Sequence, residues 1–166
     1  MKVNIALLTV TDTRTFDNDK SGAILVEKIK NANHNLIDRK ICKDNKDEII
    51  LILKKWLQNE KIDIIITTGG TGLTGRDITP EALEEIADKH IPGFGEVFRN
   101  LSLKTVGTSA IQSRACAVLS NGKYVFALPG SSGGVTDAWE GILKYQLDIN
   151  HKPCNFVELF PRLKEK

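Results

Sequence analysis

The chain has 166 residues, 41% of them hydrophobic and 27% charged, with 23 Lys and Arg against 21 Asp and Glu for a net charge of +2. That size suits one domain with its own core and is too small for two full-sized ones, and the charge content is that of a folded chain. The near-neutral balance, with no dense basic stripe, argues against nucleic acid as a partner.

Cys42, Cys116 and Cys154 lie far apart and none belongs to a CxxC pair, so the sequence carries neither a disulfide framework nor structural-zinc spacing. The opening MKVNIALLTV is too short an apolar run for a signal-peptide core or a membrane span, and no other stretch reaches membrane length. A reducing cytoplasm is the expected compartment, with no membrane partner.

In chain order, Val3 to Thr9 is a continuous apolar run that predicts a strand buried on both faces. Ser21 onward reads as a helix with Leu25, Ile29 and Ala32 on one face, and Ile37 to Cys42 as a weak strand. Asn45 to Asn59 carries a wide apolar stripe of Ile49, Ile52, Leu53, Trp56 and Leu57 at helical spacing. Ile62 to Thr67 is the best strand, rich in β-branched residues. After a glycine-rich stretch, Thr79 is the expected N-cap of a helix with Pro80 in its first position and Leu83, Ile86, Ala87 and His90 on one face. Pro92 and Gly93 are expected to break that helix, and a short one follows with Val97, Phe98 and Leu101. Ala115 to Leu119 and Tyr124 to Leu128 flank Asn121-Gly122, a hairpin signal. A last helix holds Val135, Ala138, Trp139 and Ile142, and the tail from His151 is expected to be extended.

The alternation predicts an α/β fold over residues 1–166, a mostly parallel sheet between helical layers with one antiparallel strand added by the hairpin. Ligands of such sheets bind beyond the carboxyl ends of the strands. Loops 10–21, 67–79 and 129–134 should gather there.

The stretch from Thr67 to Asp77 puts four glycines within seven residues, with four threonines, between a strand and a helix. Glycines let backbone N–H groups approach an anion closely, and hydroxyls add donors. Gly70 to Gly75 matches GxGxxG, but the following helix is delayed to Thr79 and no strand-ending acidic residue follows at the dinucleotide spacing. A Walker A loop is refused as well, because Arg76-Asp77 stands where Lys and Ser or Thr are required. A carboxylate beside a phosphate loop suggests a divalent cation, which carboxylates hold together with substrate phosphates. Asp77 could equally cap a turn, Arg76 could meet phosphate or Asp77, and Asp44 could cap a helix or hold a metal. Leu128-Pro129-Gly130-Ser131-Ser132-Gly133-Gly134 is a second small-residue loop before a helix and a second candidate anion or nucleotide contact. The isolated His34, His90 and His151, and the absence of a GxSxG elbow, give no support to a hydrolase triad.

Thr67-Thr68-Gly69-Gly70-Thr71-Gly72 followed by Gly75-Arg76-Asp77-Ile78-Thr79-Pro80-Glu81 resembles the signature of the molybdopterin-binding (MoaB/Mog) family of molybdenum cofactor biosynthesis. The likeness continues in Asp12-Thr13-Arg14, Asp19, Ser21-Gly22, Pro92-Gly93-Phe94-Gly95-Glu96, Gln112-Ser113-Arg114-Ala115 and Leu128-Pro129-Gly130-Ser131. Pro153-Cys154-Asn155-Phe156 is similar to the MoaB branch. The resemblance implies a three-layer α/β/α fold, and trimers in the Mog branch or dimers of trimers in MoaB. It also implies a reaction in which the terminal phosphate of molybdopterin attacks the α-phosphate of ATP with Mg²⁺, releasing pyrophosphate.

Carried onto this sequence, the two essential aspartates of the family match Asp44 and Asp77, the pair that would hold Mg²⁺. Thr68, Gly69, Gly70, Thr71 and Gly72, with Ser21, would hold the molybdopterin phosphate, and Asp12, Pro129, Gly130 and Ser131 would lie by the nucleotide. A non-catalytic molybdopterin carrier, acting beside a separate Mog-type adenylyltransferase, is the other role the family offers. Phe94 and Phe98, read as apolar residues in an exposed connection, support burial by self-association.

Overall fold

The computed structural model describes residues 1–165. The first apolar run forms β1 (Asn4–Val10), buried from Ile5 onward because both its faces are covered. After α1 (Lys20–Asn31) the chain returns as β2 (Asn35–Cys42), an edge strand with mostly part-exposed side chains, which explains its weak apolar signal. Then follow α2 (Lys46–Leu57), β3 (Ile64–Thr68) and α3 (Thr79–Ile86), with β3 buried at every residue. The strands β4 (Lys89–His90), β5 (Cys116–Ser120) and β6 (Lys123–Leu128) complete a six-stranded sheet in the order β2-β1-β3-β6-β5-β4. Only β5 runs against the others, as the Asn121-Gly122 hairpin predicts.

The period of two along β1 sorts its side chains into two cores. Ile5 and Leu7 join Leu25, Ile29, Phe126 and Trp139 on one face, while Ala6, Leu8 and Val10 join Ile49, Leu53, Trp56 and Leu83 on the other. The sheet therefore lies between helical layers, with α2 and α3 on the second face.

Four expectations for the chain before β5 are corrected. Helix α3 ends at Ile86, and His90 belongs to the short edge strand β4, paired with Val118 rather than packed on a helix face. The Ser120 hydroxyl takes the Ile86 carbonyl at 2.5 Å and the Asp88 amide donates to Leu119 O at 2.8 Å, so the sheet captures the chain there. Thr79 is not an N-cap: the cap position is Ile78, with no side-chain bond, and Thr79 is the first helical residue. Pro92 starts a helix and ends none, because a proline in the first turn needs no donor there: α4 (Pro92–Val106) is 15 residues long. Phe94 and Phe98 on α4 are 4% and 1% exposed and pack into the first core, so they give no argument for self-association.

A 3-10 turn over Gly107–Gln112 leads from α4 towards β5. The last helical run comprises α5 (Ser132–Ala138), a π-helical turn at Trp139–Leu143 and α6 (Lys144–Gln146). The tail is not extended throughout. It forms a 3-10 turn over Val157–Arg162, and Phe156 and Phe160 lie against Tyr124 with ring centroids 4.5 and 6.0 Å away. Among the described residues no helix is long and apolar enough to cross a membrane.

Candidate functional site

The strand order changes direction at β1, with β2 on one side and β3 on the other, and beyond the carboxyl ends of β1 and β3 lies a cavity of about 440 Å³. This is the place where an α/β sheet leaves a crevice between diverging connections. The three predicted loops meet there. Ser21, Asp44, Thr68, Gly69, Gly70, Asp77, Gly130 and Ser131 line it, as do Arg14, Asn18, Asp19, Lys20 and Arg76.

Four predicted residues lie outside the lining. Asp12 stands at the rim, where Arg76 grips both its carboxylate oxygens at 2.9 Å and the Asp44 amide donates to it at 3.2 Å. Arg76 thus pairs with Asp12 and not with Asp77. Thr71 is buried behind the loop, and Gly72 lies against the Asp77 carboxylate. Pro129 contributes its carbonyl, which accepts the Thr68 hydroxyl at 2.8 Å and ties the two small-residue loops together.

The glycine loop needs its glycines. Gly69 has φ +100° and Gly70 φ +66°, and a Cβ at Gly69 would stand 2.2 Å from the Val10 carbonyl oxygen. The Thr79 hydroxyl donates to Gly69 O at 2.9 Å, which links the end of the loop to its beginning.

The two aspartates are held differently. Asn45 is the N-cap of α2, its side chain accepting from the Glu48 amide at 3.0 Å, so Asp44 is free of that task. Burial, and then the neighbouring Asp12 and Asp77 carboxylates, push the Asp44 carboxyl above its ordinary value although Arg76 opposes them. Asp77 does cap a turn, accepting from the Thr74 amide at 2.8 Å and the Thr74 hydroxyl at 2.7 Å. Burial works to raise it, but the Thr74 bonds outweigh that and hold it below its ordinary value. Among the described residues no cluster of three or more His, Cys, Asp or Glu side chains has metal-holding geometry. Two carboxylates lining one cavity beside a glycine loop, one of them raised by burial and then by Asp12, nevertheless fit a hard divalent cation that arrives with phosphate oxygens.

Asp19 caps α1, and Ser21 lies inside that helix. Asp19 is 3% exposed and accepts from Thr9 Oγ1 at 2.7 Å, Gly22 N at 2.9 Å, Arg39 Nη2 at 2.9 Å and Ser21 Oγ at 3.3 Å. Burial alone would raise its carboxyl, but the bonds from Thr9, Gly22 and Arg39 bring it below the ordinary value. Sequence reasoning assigned no role to Asp19, Asn18, Lys20 or Arg14. Their signal was the polar stretch between a buried strand and a helix start; Arg39 on β2 gave none.

None of the three cysteines lines the cavity, and burial pushes Cys42 up to about 12 and Cys116 up to about 11. His34 Nδ1 accepts the Val3 amide at 3.3 Å, a structural contact.

A family model described as "Probable molybdopterin binding domain" matches residues 6–148. The chain belongs to the molybdopterin-binding domain family. It is 42% identical over 161 residues to the molybdenum cofactor biosynthesis protein B of Escherichia coli (strain K12), a match covering 97% of this chain and 93% of that protein. It is 46% identical over 149 residues to the protein of the same name from Staphylococcus aureus (strain MRSA252), covering 88% of each. A crystal structure of a molybdenum cofactor biosynthesis protein B superposes with a TM-score of 0.89 at 37% identity, over 100% of this chain and 98% of that one. The family's three-layer α/β/α fold, a mostly parallel sheet with an antiparallel strand, is the fold described above.

Proposed function

We propose that this chain acts in molybdenum cofactor biosynthesis, binding molybdopterin in the cavity beyond β1 and β3 and adenylating it with ATP. A terminal phosphate oxygen of molybdopterin forms a bond to the α-phosphorus of ATP, the bond from that phosphorus to the α,β-bridging oxygen breaks, and pyrophosphate leaves. Such a transfer asks the protein for positioning and charge neutralisation rather than for a nucleophile. The observation that carries the reading is that Asp44 and Asp77, from two separate connections, line one cavity with the glycine loop and with Arg14, Lys20 and Arg76.

In this reading Thr68, Gly69 and Gly70, with Ser21, hold the pterin phosphate, and Gly130 and Ser131 meet the nucleotide. Thr71, Gly72 and Pro129 act from behind, through backbone contacts that shape the loops. Asp12 keeps Arg76 at the rim. Asp44 and Asp77 are the residues that would hold Mg²⁺, which neutralises phosphate charge when bound.

The test incubates the protein with molybdopterin, ATP and Mg²⁺ and measures adenylated molybdopterin. Wild type is expected to form it, and Asp77→Asn to retain molybdopterin without forming it. Tight molybdopterin binding with no turnover by wild type would instead identify a carrier.

The same reading includes self-association as a homotrimer or a dimer of trimers. With Phe94 and Phe98 buried, the apolar side chains left in solvent here are Val97, Leu103 and Val106 on α4 and Ile111 in the turn after it, which are 49%, 51%, 55% and 82% exposed. Leu103 and Ile111 line one apolar hollow, and such exposed patches mark contact surfaces. The double change Leu103→Glu and Ile111→Glu is expected to reduce the mass measured by light scattering to that of one chain. An unchanged mass would move the interface elsewhere.

A further inference from the structure

The loop between β3 and α3 carries Asp77 across an exposed stretch, residues 73–76 standing in solvent. A loop of this kind has carbonyls that no ladder satisfies, and where they go decides how firmly Asp77 is held. Gly69 O accepts the Thr79 hydroxyl at 2.9 Å and Gly70 O the Thr79 amide at 3.0 Å. Thr71, Gly72 and Asp77 all turn theirs to one residue, Arg114, just before β5. Its amide donates to Thr71 O at 2.9 Å, its Nε to Gly72 O at 2.7 Å and its Nη2 to Asp77 O at 2.9 Å. The remaining Nη1 donates to Glu81 Oε1 in the first turn of α3.

Arg114 is itself fixed from behind. Arg99 on α4 donates through Nη1 to Ser113 O at 3.3 Å and to Ala115 O at 3.0 Å, on either side of it. A planar guanidinium with donors in a rigid fork can meet several acceptors in one arrangement, whereas an ammonium is a point charge on a flexible stem. Arg114 does not line the cavity.

We propose that Arg114 is the positioning residue of the Asp77 loop, a role that rests on the adenylation reading above. It locks the backbone on both sides of the exposed stretch, at Gly72 and at Asp77. The short Thr74–Asp77 turn between them then presents the carboxylate in one place. The residue acts through Asp77, and its effect falls on the rate of the transfer rather than on molybdopterin affinity.

The experiment compares wild type with Arg114→Lys, which keeps a cation for Glu81 and removes the fork. Two experiments are made: steady-state kinetics, giving kcat and KM for adenylation, and amide hydrogen exchange. Arg114→Lys is expected to lower kcat about 10–100-fold, the usual effect of losing an outer partner of a metal-site ligand, with KM for molybdopterin unchanged. The Thr74, Asp77 and Thr79 amides should exchange at least ~10-fold faster, while those of β3 keep their protection. A wild-type kcat in the Lys variant overturns the proposal, and so does a lowered kcat with the loop amides unmoved. Should the variant fail to fold, the wild type alone decides: its Thr74 and Asp77 amides must be protected although the loop is exposed, and free exchange refutes the brace. Absence of product from wild type is a different failure, since it removes the adenylation reading and this inference with it.

Discussion

Asp44→Asn is expected to slow adenylation on the order of 10³-fold and, in the same protein without ligand, to raise the melting temperature at pH 7. The two effects share one cause. Burial, Asp12 and Asp77 all disfavour the charged form of Asp44, so its ionised carboxylate stands in the fold at a cost that phosphate-borne Mg²⁺ would relieve. The sign follows from linkage: a carboxyl raised above its unfolded value favours the fold while protonated, and that advantage is lost as pH rises through the ordinary 3.8 to the raised value. Wild type and Asp44→Asn should therefore melt alike near pH ~3, and the variant higher by about 1–3 °C at neutral pH, as screened carboxylates in a chain of this size allow. The acid limb of kcat/KM, which reports groups of the unloaded protein, follows the same group. Asp77 is held below its ordinary value by Thr74 and stays ionised there, so activity should fall as pH drops through the raised Asp44 value. A variant that melts lower than wild type at pH 7 would show that Asp44 is not under this repulsion.

Much of the site could be read from the chain because its signals are local. A buried strand followed by small and polar residues marks a crevice, and three such places fall in the sequence where three loops fall in space. Long-range pairing could not be read. Arg76 adjoins Asp77 in sequence but bonds Asp12, and Arg114 reaches Gly72 and Asp77 from a distant part of the chain. The role of Asp44 stayed open for a similar reason, since choosing between cap and ligand required knowing that the Asn45 side chain takes the cap. In the fold, Pro92-Gly93 reads as a break because proline is excluded from a helix interior, yet it suits a first turn, and the chain has already left α3 at Ile86. A two-residue edge strand such as Lys89–His90 is too short to show a period at all. Phe94 and Phe98 were misplaced by that boundary: once α4 exists, its apolar face turns them inward.

The glycines of the loop should separate stability from rate. Gly69→Ala is expected to cost about 3 kcal/mol, or roughly 6–12 °C in melting temperature. The residue has φ +100°, and the new Cβ would meet the Val10 backbone oxygen at 2.2 Å, an atom that cannot swing away. Gly75→Ala is the control. That position has negative φ and nothing within 4 Å of an added Cβ, so the change should be neutral or stabilise by about 0.4–1 kcal/mol through the unfolded state. Gly72→Ala lies between them and is the more telling case. Its Cβ would stand 2.8 Å from Asp77 Oδ2, the far end of a side chain, which can yield without unfolding anything. The displacement should remove about 1 kcal/mol of stability with the Thr74 bonds to that oxygen, yet lower kcat as much as ~100-fold, because a misplacement near 1 Å is enough for that. Melting curves and single-turnover rates on the three variants check the series. Equal losses of rate and stability in Gly72→Ala would mean that the Asp77 carboxylate has no privileged position to lose.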